Sequence, residues 1–156
     1  MKSEPTEYSI DHLQRDGSSS WFWVRNYLAR NYLARNYMRD HMQIWDRVFF
    51  YHSSCATPRI VGLAEVVSLP HPDETQFIAW GKHYDIKSTR EKPIWMCVDV
   101  GFVSRFSDIL SISEIRSTPE LASMKLLQKG SRLSITPVTD AESETILRII
   151  GNRVVL

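Results

Sequence analysis

Asp46-Arg47-Val48-Phe49-Phe50-Tyr51-His52, followed after a short polar link by Arg59-Ile60-Val61-Gly62-Leu63-Ala64-Glu65-Val66-Val67-Ser68, decides the fold class of this chain. Both runs are rich in β-branched and aromatic residues, which suit a pleated, half-buried surface. The link Ser53-Ser54-Cys55-Ala56-Thr57-Pro58 suits a hairpin connection, and Pro70 and Pro72 end the second run. Ile94 to Val103 reads as a third strand, with Ile94, Met96, Val98 and Val100 on one face. Arg132-Leu133-Ser134-Ile135-Thr136-Pro137-Val138 reads as a fourth. Between the second and third strands, residues 70–92 carry Pro, Asp, Gly and charge with little periodicity and read as a long excursion.

Helical signals surround these strands. Ser9 is placed as an N-cap, Ile10 and Leu13 face inward, and Gly17 closes the helix. Ser18 to Ser20 read as a loop that delivers Trp21, and residues 24–42 as partly helical. Ser111 to Leu127 holds two short helical pieces parted by Pro119, and Thr139 caps a closing helix from Asp140 to Ile150. Strands scattered among helices give an α+β class, most simply a small curled sheet or barrel with helices around it. With 156 residues and no dividing linker, residues 1–156 are expected to form one domain.

The chemistry-bearing residues are unevenly distributed. Lys and Arg number 19 against 18 acidic residues, so bulk charge does not point to a polyanion. Residues 25–39, however, hold Arg25, Arg30, Arg35 and Arg39 with no acid, interleaved with Tyr27, Tyr32 and Tyr37. This stretch repeats itself: Arg25-Asn26-Tyr27-Leu28-Ala29, Arg30-Asn31-Tyr32-Leu33-Ala34, Arg35-Asn36-Tyr37-Met38. Guanidinium, amide and aromatic ring are the groups that grip phosphate, read a base edge and stack. A solvated helix face with Tyr and Leu turned to the core is the competing reading. Five residues turn a helix by a net rotation of about 140°, so three copies cannot share one face. The repeat therefore reads as a tandem duplication, absorbed as an enlarged turn near residues 27–36.

Other chemistries find little support. Cys55 and Cys97 are far apart and in no CxxC pair, which suits a reduced compartment. His12, His41, His52, His71 and His83 show no metal-ligand spacing, and no glycine-rich phosphate cradle occurs, so neither metal nor cofactor is expected. His52 and Cys55 could be drawn as a base and a nucleophile, the basis of an alternative as a small hydrolase or transferase. A protein-interaction module using the Tyr-Arg stripe is a third reading. No apolar run is long enough to span a bilayer, and the chain is expected to be cytoplasmic, or nuclear in a eukaryote. Trp21 is open to two readings, a core plug or the wall of a base pocket.

Taken together, Lys2-Ser3-Glu4-Pro5, Trp21 with Val24-Arg25-Asn26-Tyr27, Phe50-Tyr51-His52-Ser53, Ile60-Val61-Gly62 with Ala64-Glu65-Val66, and Arg132 to Val138 resemble the EVE domain family. The resemblance implies a PUA-like β-barrel of about five to six strands with short helices around it, related to the YTH readers. It also implies a non-enzymatic module that binds DNA or RNA carrying a modified base, 5-methylcytosine or 5-hydroxymethylcytosine in DNA being the associated ligands. The residues implied at the pocket are Lys2, Ser3, Glu4, Trp21, Arg25, Asn26, Tyr27, Tyr51, His52, Ser53, Arg132 and Ser134. Trp21 is expected to stack, Ser3, Glu4 and Asn26 to meet the base edge, and Arg25 and Arg132 to pair with phosphate or with Glu4. Tyr51 and His52 could instead shape the pocket without touching ligand. The sequence departs from the family where Trp23 and Trp45 stand in place of glycine, in its few residues before Lys2, and in the duplication. A Trp forced to positive φ would cost about 1–3 kcal/mol.

Overall fold

The structure, a computed structural model, describes residues 1–22, 33–130 and 133–153. Trp23, Arg25, Asn26, Tyr27 and Arg132, and most of the turn expected near 27–36, therefore lie outside the described residues. Five strands form the main sheet: β1 (Lys2–Ser3), β2 (Ser18–Ser20), β3 (Arg47–His52), β4 (Arg59–Val66) and β7 (Asp99–Ser111). Their spatial order is β1-β3-β4-β7-β2, and β5 (His71–Pro72) with β6 (Met96–Cys97) makes a separate two-stranded ladder. The helices are α1 (Ile10–Asp16), α2 (Leu33–Asp40), α3 (Ile112–Ser117) and α4 (Asp140–Arg153).

Local chemistry accounts for most boundaries. Ser9 caps α1 through the His12 N–H, and the His12 ring accepts from the Ser9 N–H, a reciprocal box. Gly17, at φ 77°, ends the helix in the left-handed region. The hydroxyl of Thr139 accepts from the Glu142 N–H, and the Glu142 carboxylate accepts from the Thr139 N–H, so α4 starts where its sequence says. β3 and β4 form the expected antiparallel hairpin, with His52 opposite Arg59.

Four expectations need correction. Ser18–Ser20 is a strand, because it pairs with Gly101, Val100 and Asp99 of β7 despite its low intrinsic preference. The third strand does not run from Ile94 to Val103. It breaks at Val98 into β6 and β7, and β7 continues through polar residues to Ser111. Residues 133–138 form no strand, and one backbone bond, from the Lys2 N–H to the Ser134 carbonyl at 2.7 Å, ties them to β1. In addition, residues 33–36 of the expected turn are helical.

The sheet carries a core on each face. Val48 and Phe50 of β3 join Ile10, Leu13, Trp21, Met38 and Val100. Phe49 and Tyr51 turn the other way, toward Leu110, Ile115 and Ile146. On β4, Val61 shares the first core with Ala64 and Val66, which an unbroken two-residue period would forbid. A register shift between Ile60 and Gly62 supplies the change of phase. At Gly62 a Cβ would collide with the Ser104 carbonyl oxygen, and the Ile10 side chain is 3.1 Å away.

Trp45 has φ 78° and is 71% exposed. It occupies the third position of the turn Gln43–Asp46, closed by the Asp46 N–H to the Gln43 carbonyl at 3.1 Å, a position that favours glycine. Trp45→Gly is expected to raise stability by about 1 kcal/mol through relief of this backbone, read as a higher urea midpoint at unchanged slope. Gly62→Ala should lower stability by about 2 kcal/mol or more, because the obstacle is backbone. Equal or greater stability of Gly62→Ala in the same titration would overturn the reading of the bulge.

Candidate nucleic-acid interface

β1 lies parallel to β3, with Lys2 opposite Tyr51 and Ser3 opposite His52. This register gathers Lys2, Ser3, Glu4, Tyr51, His52 and Ser53 at one edge of the sheet. Ser3 is buried; its hydroxyl donates to the Tyr8 carbonyl at 2.6 Å, and its own carbonyl accepts from the Ser53 N–H at 2.9 Å. Glu4 is exposed, and its carbonyl accepts from the N–H groups of Glu7 and Tyr8, which turns the chain sharply after β1. Ser134 reaches the same edge through its bond with Lys2.

The strand alternation divides the expected residues. His52 follows Phe50 on the first face, while Tyr51 points into the opposite core with its hydroxyl pushed up to about 12, chiefly by burial. Tyr51 and Trp21 are therefore on different sides of β3. Trp21 is completely buried, its backbone N–H donating to the Val98 carbonyl at 2.8 Å. Its ring meets Phe50 edge-on at 5.4 Å, and Phe50 meets His52 edge-on at 5.7 Å. In this placement the Trp21 ring is enclosed by the first core and offers no exposed face for stacking.

Two polar atoms in this aromatic row stand out. The Ile10 N–H donates to His52 Nε2 at 3.1 Å, so in the neutral ring the proton is on Nδ1. His52 Nδ1 and Trp21 Nε1 are both buried, and neither has a hydrogen-bond partner among the described residues. A buried donor left unpaired costs about 1–3 kcal/mol. Burial, then the neighbouring Arg59, holds the His52 imidazole neutral by lowering its pKa to about 4. The proposed nucleophile does not use this ring, since the Cys55 thiol lies 3.9 Å from the His52 carbonyl instead.

A frame of polar contacts places Trp21. Asp99 accepts from the Ser20 hydroxyl at 2.6 Å and pairs with His71 Nε2 at 2.9 Å, joining β2, β7 and the small ladder. Burial alone would lower the His71 pKa, but Asp99 and the Pro72 carbonyl raise it above the ordinary value. The long excursion is equally built. Buried Gln76 donates to the carbonyls of Asp73 and Trp95 and accepts from the N–H groups of Ile94 and Trp95 and from the Ser88 hydroxyl. The Trp95 indole donates to Asp85 at 2.8 Å. His83, on the same excursion, meets Phe22 edge-on at 5.9 Å, beside Trp21. Sequence reasoning missed this wall, because its residues are spaced irregularly and only the fold brings them back. Trp80 is 92% exposed on the same loop.

The third Arg-Asn-Tyr copy has a structural task. Met38 is fully buried, and the Arg35 guanidinium donates to the Ile94 carbonyl at 3.0 Å and to Asn36 Oδ1 at 2.7 Å. Copies one and two lie outside the described residues apart from the backbone of their last two positions, Leu33 and Ala34.

His52 gives a pH prediction with a definite sign. Between pH about 6.5 and about 4 the unfolded chain takes up a proton that folded His52 refuses. Its contribution is therefore full above that window and lost as pH falls through it, by about 3 kcal/mol. His71, with a raised value, acts in the opposite sense. Comparing urea midpoints of wild type and His52→Gln at neutral pH and near the lower limit isolates the term: the variant should lose less stability on acidification.

This geometry finds its counterparts among known proteins. The EVE domain profile matches residues 1–149. Thymocyte nuclear protein 1 from Rattus norvegicus is 36% identical, the alignment covering 96% of this chain and 71% of that one. The structure of a hypothetical protein from Leishmania major superposes with a TM-score of 0.89 at 42% identity, covering 98% of this chain and 93% of that one. Human THYN1 protein, crystallised in complex with 5-methylcytosine-containing DNA, gives 0.84 at 34% identity, covering 96% and 95%. Fold, motif order and these likenesses agree: the chain belongs to the EVE domain family, with its PUA-like α+β architecture.

Proposed function

We propose that this chain binds nucleic acid carrying a modified base, 5-methylcytosine in DNA first among them, and performs no chemistry on it. The observation that carries the reading is the pair of buried donors without a partner among the described residues, Trp21 Nε1 and His52 Nδ1, in an aromatic row whose core Tyr37 of the third Arg-Asn-Tyr copy packs against. A cytosine offers acceptors at its pairing edge, and two fixed donors in an apolar surround suit such a group better than they suit water. The complex of human THYN1 with 5-methylcytosine-containing DNA supports the same ligand class.

In this reading Trp21 takes part through its indole N–H rather than its ring face. Ser3, whose hydroxyl is already committed to Tyr8, shapes the site, and exposed Glu4 is available to an exocyclic amine. Lys2, Tyr51, Ser53 and Ser134 hold the sheet edge on which the site is built. Asn26 and Tyr27 supply amide and ring, and Arg25 and Arg132 supply phosphate contacts. With near-neutral bulk charge, selectivity rests on the pocket rather than on the backbone field.

Fluorescence anisotropy with matched single- and double-stranded DNA and RNA, carrying cytosine, 5-methylcytosine, 5-hydroxymethylcytosine or N6-methyladenine, tests the proposal. Expected is a preference of about tenfold for methylated over plain cytosine in DNA, about 1.4 kcal/mol, that survives added salt. Trp21→Phe, which keeps the ring and deletes the donor, should erase most of that preference with little loss of stability. Equal, salt-erased binding of all bases would overturn the proposal, and so would undiminished selectivity in Trp21→Phe for the role given to its indole.

A further inference from the structure

Between β5 and β6 the chain makes three successive tight turns. The Gly81 N–H donates to the Ile78 carbonyl at 2.9 Å, the Tyr84 N–H to the Gly81 carbonyl at 3.1 Å, and the Ser88 N–H to the Asp85 carbonyl at 3.0 Å. The Asp85 N–H, bound to the Gln76 carbonyl at 3.0 Å, fastens the stretch to the buried amide that organises this loop. Two side chains turn inward: the His83 ring meets Phe22, and the Asp85 carboxylate accepts from the Trp95 indole and the Lys87 N–H. Trp80, Lys82, Tyr84, Ile86 and Lys87 are all exposed.

The fold gives no account of Trp80. Its residue is 92% exposed, and the turns that carry it are held by backbone bonds and by other side chains. Ile78, Tyr84 and Ile86 add exposed apolar surface within the same turns. A patch of this kind on an ordered loop marks a contact surface. Because the loop is already fixed, covering the ring costs little ordering entropy.

Charge selects what covers it. Asp85 is the one acid within residues 78–88, and it is committed to Trp95. Lys82 and Lys87 make no ion pair among the described residues. The outward surface of these turns is therefore aromatic and cationic, without a carboxylate. A second copy of the chain docked face to face would set the lysines against each other, whereas a nucleic-acid strand brings phosphates and flat rings that match them. Position agrees with charge. Only Gly81 and Lys82 separate Trp80 from His83, so their Cα atoms lie at most about 11 Å apart. The His83 ring in turn leads through Phe22 to its chain neighbour Trp21.

We propose that Trp80 is a stacking platform for the nucleobase adjoining the one read at Trp21 and His52, and that Lys82 and Lys87 hold phosphates beside it. The inference rests on the nucleic-acid reading above and adds a second contact to it. The pocket selects the modified base, while the platform supplies affinity indifferent to sequence, because every base has a face to stack. It also keeps the strand open beside the pocket, since the neighbouring base stacks on indole instead of on the base being read.

The experiment follows binding of the whole chain to single-stranded DNA by fluorescence anisotropy, with 2-aminopurine next to a central cytosine or 5-methylcytosine. Expected for Trp80→Ala is about tenfold weaker binding of both strands, as for loss of one stacked base, at an unchanged ratio between them. The change in 2-aminopurine emission on binding should disappear, while Trp80→Phe keeps most of it and the urea midpoint stays that of wild type. Lys82→Gln combined with Lys87→Gln should make the dependence of log K on log salt shallower by about 1.4, the share of two single-strand phosphates. Unchanged affinity and emission in Trp80→Ala, with the wild-type ratio intact, would overturn the platform and leave the pocket standing. Equal binding of the two strands by wild type would instead sink the pocket, while the same loss in Trp80→Ala still supported the platform. A loss confined to the methylated strand would place Trp80 in the pocket and overturn its separate role, and wild type that binds neither strand would overturn both readings.

Discussion

Everything in this molecule hangs on the burial of β3 from both sides. Phe50 is completely buried against Trp21, while one residue on, Tyr51 is buried against the helices of the second core. A strand in that position must keep its register, because a slip of one residue would exchange the two sets of side chains. The parallel pairing with β1 and the hairpin to β4 hold it there. His52 is the consequence of this arrangement at the strand's end. The alternation that buries Phe50 also buries an imidazole, which remains neutral and binds the start of α1 through one nitrogen. The candidate site is thus an extension of the core, and its polar atoms are spare hydrogen-bonding capacity inside an apolar row.

Parts of this were legible in the sequence, and the reason differs from element to element. The caps at Ser9 and Thr139 are local chemistry and read directly. The β3–β4 hairpin is carried by side-chain type and by a short link, also local. Ser18–Ser20 could not be read as a strand, because three serines carry no β signal and the pairing is imposed by β7. Residues 132–138 erred in the opposite direction. Alternating Leu133 and Ile135 describes an extended segment with one side inward, but residues 133–138 join no ladder, and Ile135 alone of them is buried. The phase change at Gly62 was invisible too, since a bulge depends on where the neighbouring strand runs.

The candidate site could be named from the sequence as a set of residues but not arranged in space. Ser3, His52 and Trp21 were named from motif, and they do share one side of the sheet system. Tyr51 was named with them because adjacent motif residues look alike in sequence, yet adjacent residues on a strand face opposite ways. The wall made by His83 and Phe22 depends on an excursion whose shape is set by one buried amide, Gln76, and nothing around Gln76 marks it as a hub.

The Arg-Asn-Tyr repeat and Trp45 show how far such a core tolerates local disagreement. In α2, Met38 is the repeat's deep anchor, and the corresponding positions of the earlier copies are Leu28 and Leu33. Any of the three is apolar enough to plug the same cavity, so the chain could in principle dock in three registers five residues apart. Arg35 breaks the tie only weakly, because Arg25 and Arg30 hold the same place in their own units. What differs is the sequel. After Met38 come Arg39 and Asp40, which pair with each other at 2.6 Å, and then the turn at Gln43–Asp46 that must reach β3. Docking an earlier copy would leave five or ten extra residues between helix and strand, whereas the third copy leaves the shortest path. A shorter closed loop costs less entropy, though only slightly less for each added unit. The geometry of the following turn, with Trp45 held at positive φ so that its N–H can reach the Val66 carbonyl at 2.8 Å, therefore favours the third copy at the place Met38 fills.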